Sequence, residues 1–251
     1  MIRSILIRVV STSTISAADE KQLGGLCERI MRCENIGYDF HMWQQALGEY
    51  DLANFDELLL TNSSVCGPLS PLAALWDKPG LAECDFWGLT DNGYVNEHVH
   101  VSNHLQSYFL VFKRAVMQSA SFARFWKSVL PYTNKYQLIL SYEVGLTIWL
   151  EQNGFKWKAL FAQEEIVSKY LKSRSLLKKV DGRIKGQRLP GRDTTIHFPD
   201  FLISSGMPFL KCSLLREANE RIAPATAYAM LRDADLPKAA LEELGSLYSL
   251  K

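Results

Sequence analysis

Glu143 and the triplet Asn62-Ser63-Ser64 sit where their surroundings suit them to chemistry. Glu143 follows Ser141-Tyr142 at the head of an apolar stretch that runs to Asn153, with Gly154 behind it. That spacing predicts a helix capped by Ser141, stopped by Gly154, with the carboxylate in its first turn. A glutamate with an ordinary pKa of about 4.3 is ionised there at neutral pH, and partial burial raises its basicity toward that of a general base. The helix dipole accounts for the same placement equally well, since it stabilises such a carboxylate by roughly 0.3–1 kcal/mol. Asn62-Ser63-Ser64 follows Glu57-Leu58-Leu59-Leu60-Thr61, a continuous apolar run that reads as a strand buried on both faces of a parallel sheet. Ligands of open α/β sheets lie beyond the carboxyl ends of strands. The triplet therefore either touches a ligand or only makes the turn before Gly67-Pro68.

Two weaker groupings have alternatives of the same kind. His98, His100 and His104 are spaced so that the first two share a strand face, as in some zinc or iron sites, but the residue between and before them offers only Glu97, on the other face. A solvated loop explains them too. The basic run Lys169, Lys172, Arg174, Lys178, Lys179, Arg183, Lys185, Arg188 and Arg192 either faces phosphates or is a solvated surface. The Gly-rich phosphate loops, the Gly-x-Ser-x-Gly elbow and His-Glu-x-x-His are all absent from the sequence, which lowers dinucleotide oxidoreductases, P-loop enzymes, serine hydrolases and zinc proteases together.

The elements that must position these residues follow from pattern. Residues 5–10 read as a first strand. Ser16 and Asp19 form a capping box for a helix over 17–32, weakened by Gly24-Gly25 at about 1 kcal/mol per glycine. A second helix runs from His41 to Leu47, a short strand from Cys84 to Thr90, and a mobile loop from Asn92 to Asn103. Ser107 to Phe112 is a buried strand, the Phe122–Val129 face a helix, and Phe155 to Phe161 a strand. Short helices follow from Leu210 onward. With 251 residues and 47 % hydrophobic content, this is a chain with a sizeable core. The order of elements predicts an α/β sheet over residues 1–165 and a basic segment with a helical C-terminal extension over 166–251. The 28 basic and 27 acidic residues leave a net charge of +1, which gives no argument for nucleic acid. Five scattered cysteines point to a reducing compartment rather than a disulfide framework, and no run nears the roughly 20 apolar residues a membrane span needs. The reading is a cytoplasmic protein.

Several stretches, taken in order, resemble the rhamnan synthesis protein F family, glycosyltransferases of bacterial cell-surface polysaccharide assembly. They are Asn35 to Phe40 with Trp43; Asp56-Glu57 to Asn62-Ser63-Ser64 with Gly67-Pro68; Asp85 to Thr90; His104 to Phe109; Phe125-Trp126; Tyr142 to Thr147 with Gly154-Phe155; and Pro208 to Lys211. The resemblance implies a variant of the glycosyltransferase A fold, a Rossmann-like mixed sheet flanked by helices. In it Glu143 is the catalytic base of an inverting enzyme. Asp39, Asn62, Ser63, Ser64 and Asp85 bind a nucleotide-sugar donor. Trp87, Asp91, His104 and Gln106 line the sugar or acceptor side, with Trp87 stacking on a sugar face.

Two departures accompany that likeness. The family usually shows Asn-Asp-Ser where this chain has Asn62-Ser63-Ser64. The implied Mg²⁺ or Mn²⁺ would therefore meet only neutral oxygens of Asn62 and Ser64. The chain also begins one β-α unit later than the fold implies. The expected function is transfer of a sugar, by analogy L-rhamnose from dTDP-rhamnose, to a glycan or lipid-linked glycan acceptor, at the inner face of the cytoplasmic membrane. The alternative is a scaffold subunit that binds other polysaccharide-assembly proteins without catalysis.

Overall fold

The computed structural model describes residues 4–95, 100–178, 193–216, 222–234 and 236–250. In chain order these give β1 Arg8–Ser11, α1 Ala17–Gly24, β2 Arg29–Arg32, α2 Tyr38–Leu47, β3 Glu57–Thr61, β4 Val65–Cys66 and β5 Phe86–Val95. Next come β6 His100–Leu105, β7 Phe109–Lys113, α3 Arg114–Met117, α4 Ala120–Lys127 and α5 Lys135–Leu138. A π-helical turn, Ile139–Val144, joins α5 to α6 Gly145–Gln152. The rest are β8 Trp157–Phe161, α7 Gln163–Lys178, α8 Thr194–His197, α9 Pro199–Ser204, β9 Leu210–Lys211, α10 Ser213–Arg216, α11 Pro224–Arg232 and α12 Lys238–Leu247.

The main sheet is mixed, five-stranded and flanked by helices. Its path is β3-β7-β5-β6, with β8 also on β5. β5 is long enough to serve two neighbourhoods. Phe86 to Gly88 pair antiparallel with β7, Phe86 to Thr90 pair parallel with β8, and Asp91 to Val95 pair antiparallel with β6. Strands β6 and β7 thus form one long partner for β5, broken at Gln106-Ser107-Tyr108. Across that break the register slips: three steps along β5, from Gly88 to Asp91, face five along the partner, from Leu110 to Leu105. The partner strand therefore carries a bulge, a device that re-aims side chains out of the ladder.

Two apolar layers sandwich the sheet. Phe40, Phe86, Phe112, Phe122, Trp126, Tyr142 and Leu146 belong to the layer under α2, α4 and α6. Leu75, Trp87, Phe109, Phe161, Tyr170 and Phe198 belong to the layer under α7 and α9. A third cluster joins Cys66 and Leu69 to Leu214, Tyr228 and Leu231 of the C-terminal helices.

Several local expectations fail for non-local reasons. β3 is an edge strand antiparallel to β7, and only Leu60 in it is buried, so the triplet does not end an interior parallel strand. The 17–32 helix stops at Gly24. Ser16 does cap it, accepting the Asp19 N–H at 3.1 Å and donating to the Asp19 carboxylate at 2.6 Å. α1 buries no residue, so nothing holds the helix past Gly24-Gly25, and Arg29–Arg32 pairs parallel with β1 instead. Among the described residues these two strands form a separate sheet. The expected 92–103 loop is largely the β5–β6 pair. The helix of Glu143 starts well before Ser141: Asn134 caps it, accepting from the Tyr136 and Gln137 N–H groups at 2.9 and 3.1 Å. Gly154, at φ +88°, does follow its end.

Candidate functional site

Two backbone irregularities meet at Glu143. The π turn places this residue in mid-helix rather than at an N-terminus, so the dipole argument for it lapses. Such turns recur at functional sites because they rotate side chains off the helical register. Opposite lies the β6–β7 bulge, whose Ser107 donates both its backbone N–H, at 3.1 Å, and its hydroxyl to Glu143 Oε2. Thr147, one turn further on, accepts the Leu105 N–H at 3.1 Å and fixes α6 to the same strand. The other carboxylate oxygen, Oε1, is 3.8 Å from His104 Nε2.

His104 is buried, its side chain 3 % exposed, while the Glu143 side chain keeps 20 %. His104 Nδ1 lies 2.9 Å from the Ser102 carbonyl, so both ring nitrogens face acceptors and the doubly protonated ring suits them best. Burial pulls its pKa down, but Glu143, the Ser102 carbonyl and the Asp91 charge together push it above the ordinary value. Burial pushes Glu143 up. The contacts from His104 and Ser107 outweigh that, so its carboxyl is held below the ordinary range. Glu143 is thus a firmly ionised group, not the raised-pKa base that partial burial alone suggests.

The signs set a pH dependence. His104 has a raised folded pKa, so its contribution to stability is full below the unfolded value near 6.5 and fades as pH rises through the folded value. We expect His104→Gln to lower the unfolding midpoint most near about pH 6, with the gap to the parent narrowing by about pH 9. A gap constant with pH would mean that His104 is neutral in the folded state.

Asp39 and Asn62 are brought to the same end of the sheet. Thr61, the last residue of β3, pairs with Phe109 and donates its hydroxyl to the Tyr108 carbonyl at 2.9 Å. The triplet therefore emerges beside the bulge. Asn62 Nδ2 donates to Asp39 Oδ2 at 2.9 Å, and Asn62 Oδ1 accepts the Ser64 N–H at 3.1 Å and the Ser64 hydroxyl at 2.6 Å. Asp39 itself follows Gly37 and Tyr38, both left-handed at φ +71° and +51°. A Cβ at Gly37 would stand 2.5 Å from His41 Cβ and 2.7 Å from Pro131 Cα, so only glycine fits. Aromatic packing holds the segments that carry the two acids against each other: Phe40, next to Asp39, lies 5.6 Å from the ring of Tyr142, next to Glu143. Burial raises the Asp39 pKa, Glu143 adds to the rise, and Asn62, Lys135 and Lys211 oppose it.

The remaining candidates divide. Gln106 is buried with both ends engaged, its Oε1 accepting from Thr90 at 2.6 Å and its Nε2 donating to Asp193 at 3.0 Å. Since Thr90 spends its proton on Gln106, the Tyr108 hydroxyl donates to Thr90, at 2.6 Å. Asp91 accepts the Gln163 N–H at 2.6 Å at the start of α7, and burial pushes its carboxyl up. Gln106, Asp91 and His104 thus stand behind the surface groups and hold the bulge. Ser63 is exposed, its carbonyl 3.5 Å from the Cys212 thiol. Asp85 is at the opposite end of β5, accepting the Lys156 N–H at 2.8 Å, beside Lys113 at the far end of β7. It is apart from the Glu143 cluster. Trp87 is 0 % exposed, edge-on to Trp76 at 5.2 Å, and presents no face for a sugar to stack on. Glu97, His98 and the segment from Lys179 to Arg192 lie outside the described residues, and Lys169 and Lys172 are exposed on α7.

Sequence reading missed Ser107, Asp193 and Lys211 as site residues. Lys211 pairs with Val65, just past the triplet, and its Nζ lies 4.4 Å from the centre of the Tyr108 ring. A hard cation wants about six oxygens and a carboxylate or two. Here Asn62 Oδ1 and the Ser64 hydroxyl are spent on each other, and one Asp39 oxygen is tied to Asn62. Among the described residues no three His, Cys, Asp or Glu side chains group to hold a metal. The donor set does not fit a cation held by protein, and Lys211 supplies positive charge beside the triplet instead. Space under Lys211, Tyr108, Val65 and Thr195 amounts to about 10 Å³, room for one water. A wider cleft of about 180 Å³ opens at Asn35, Gly37, Tyr38 and Thr133, at the head of α2.

No helix among the described residues is long and apolar enough to cross a membrane. No solved structure matches the chain. The uncharacterized protein y4gN of Sinorhizobium fredii (strain NBRC 101917 / NGR234) is 27 % identical over 164 residues, 64 % of this chain and 42 % of that protein. The chain thus spans less than half the length of the curated relative it matches. The family model of rhamnan synthesis protein F matches residues 7–241. On that match, the chain belongs to the rhamnan synthesis protein F family.

Proposed function

We propose that this chain carries the donor site and catalytic base of an inverting glycosyltransferase, on a variant of the glycosyltransferase A fold. One observation carries the reading. An ionised, partly exposed Glu143 is set by a bulge and a π turn beside the Asp39–Asn62 pair that closes the head of α2. The acceptor hydroxyl attacks the anomeric carbon of the nucleotide sugar, Glu143 takes its proton, and the bond to the diphosphate breaks with inversion. Asp39, Asn62 and Ser64 orient the donor, and such alignment of two substrates is a large share of the rate. Lys211 faces the departing diphosphate. His104 and Ser107 keep Glu143 charged and aimed, so that the base is ready without reorganisation. By family analogy the donor is dTDP-rhamnose and the acceptor a growing cell-surface glycan, reached from the cytoplasmic side of the membrane.

A second reading is a scaffold subunit of a polysaccharide-assembly complex. It is favoured by the triplet's lack of a carboxylate and by polar side chains that satisfy one another. Calorimetric titration with dTDP-rhamnose and with dTDP, with and without Mn²⁺, separates the two. Binding that needs no Mn²⁺ is expected for the enzyme. Silence with every nucleotide and condition favours the scaffold.

A further inference from the structure

Cys66 and Cys212 are separated by 146 positions, yet their sulfurs lie 3.0 Å apart. The pairing of β4 with β9 brings this about. Val65 faces Lys211 and Cys66 faces Leu210, so Cys212, two residues beyond, is the diagonal neighbour on the Cys66 side. Both residues are buried, in the cluster formed with Leu69, Leu210 and Leu214. The Cys212 N–H donates to the Ser64 carbonyl at 2.9 Å, which fixes the second thiol to the end of the triplet. The sulfurs stand about one ångström short of bonding distance.

The two thiols are chemically unequal. Cys66 keeps its proton, its pKa driven up first by the hydrogen bond to Cys212 and then by burial. The same hydrogen bond brings Cys212 down to about 7 against burial, with Tyr248, Arg216 and Lys211 helping. A thiolate beside a thiol is the pairing that oxidises to a cross-link.

We propose that Cys66 and Cys212 are a peroxide-responsive pair whose disulfide clamps the Asn62–Ser64 loop to β9 and the C-terminal helices. The Cys212 thiolate attacks one oxygen of hydrogen peroxide. The O–O bond breaks, leaving a sulfenic acid and hydroxide. The Cys66 sulfur then attacks the Cys212 sulfur and gives up its proton, and the sulfenic oxygen leaves as water. Two thiols lose two electrons and one peroxide becomes two waters. Peroxide is small enough to reach a buried pair, and a dithiol reverses the bond by exchange. The proposal does not depend on the glycosyltransferase reading.

The test uses the whole purified chain, treated with hydrogen peroxide, alkylated under denaturing conditions and mapped by mass spectrometry after digestion. Peptides bearing Cys66 and Cys212 are expected joined, lighter by two hydrogens, and separable by dithiothreitol. The unfolding midpoint of the oxidised protein should rise by about 5 °C or more, because the bond closes a long loop. Cys66→Ser and Cys212→Ser should each lose the rise. Recovery of both cysteines as alkylated thiols, while the more accessible Cys27 and Cys33 oxidise, overturns the pair. So does a Cys212 sulfinic acid without a cross-link, and a cross-link with no change in midpoint overturns the clamp. Should either serine variant fail to fold, the parent's peptide map still decides.

Discussion

Glu143→Gln is expected to cut the rate of sugar transfer by at least about a hundredfold, with fold and donor binding kept. The amide has the shape of the acid and still offers an oxygen to the Ser107 N–H and hydroxyl, so the bulge and the π turn stay joined. What it lacks is a lone pair basic enough to take the acceptor's proton. A positioned base contributes typically about 10²–10⁴-fold, and nothing nearby substitutes for it. His104 is buried, its side chain 3 % exposed, out of reach of an acceptor hydroxyl, and Asp39 is engaged by Asn62. The measurement is initial-rate transfer from a nucleotide sugar beside a calorimetric titration of the same donor. A variant that turns over near the parent's rate takes Glu143 out of the mechanism. A variant that loses donor binding and its unfolding transition together would make Glu143 a structural residue.

Trp87→Ala is expected to destabilise the protein by about 3–5 kcal/mol. The indole is fully buried between Trp76, at 5.2 Å, and Phe109, at 5.8 Å, in the layer that also holds Phe161 and Phe198. Its removal loses the transfer energy of the ring and leaves a cavity that strand β5, paired on both sides, cannot close. For a chain of this size that corresponds to a midpoint lower by roughly 10 °C. Urea unfolding measures it directly. A stable Trp87→Ala protein whose only defect was weaker sugar binding would mean that the ring faces a ligand after all.

The contrast between these two residues shows what a sequence can disclose. Trp87 and Glu143 both occur in stretches that resemble the family, and likeness gives them equal standing. Burial separates them. An alternating strand places Trp87 on the face toward α7 and α9, whereas the π turn rotates Glu143 toward the bulge. Gln106 and His104 are intermediate: both are buried, Gln106 bonded to Thr90 and Asp193 and His104 beside the Glu143 carboxylate. Asp85 immediately precedes the strand that carries Asp91, yet the run between them puts the two apart along the sheet.

Local physics was legible in the sequence alone. The Ser16 cap, the α2, α4, α11 and α12 helices, the Phe109–Lys113 and Trp157–Phe161 strands and the Gly154 stop all follow from residue type and period over a few positions. The family was legible too, because its residues keep their order. Pairing was not. Leu58-Leu59-Leu60 reads the same whether its neighbour is parallel or antiparallel, central or absent, and only β7 decides that it is an edge. The two extra residues that push Ser107 toward Glu143, and the meeting of Asn62 with Asp39 or Cys66 with Cys212, depend on contacts dozens of positions apart. A pattern of apolar spacing records which side of an element is buried; it does not record what lies across from it, and that is where the site is made.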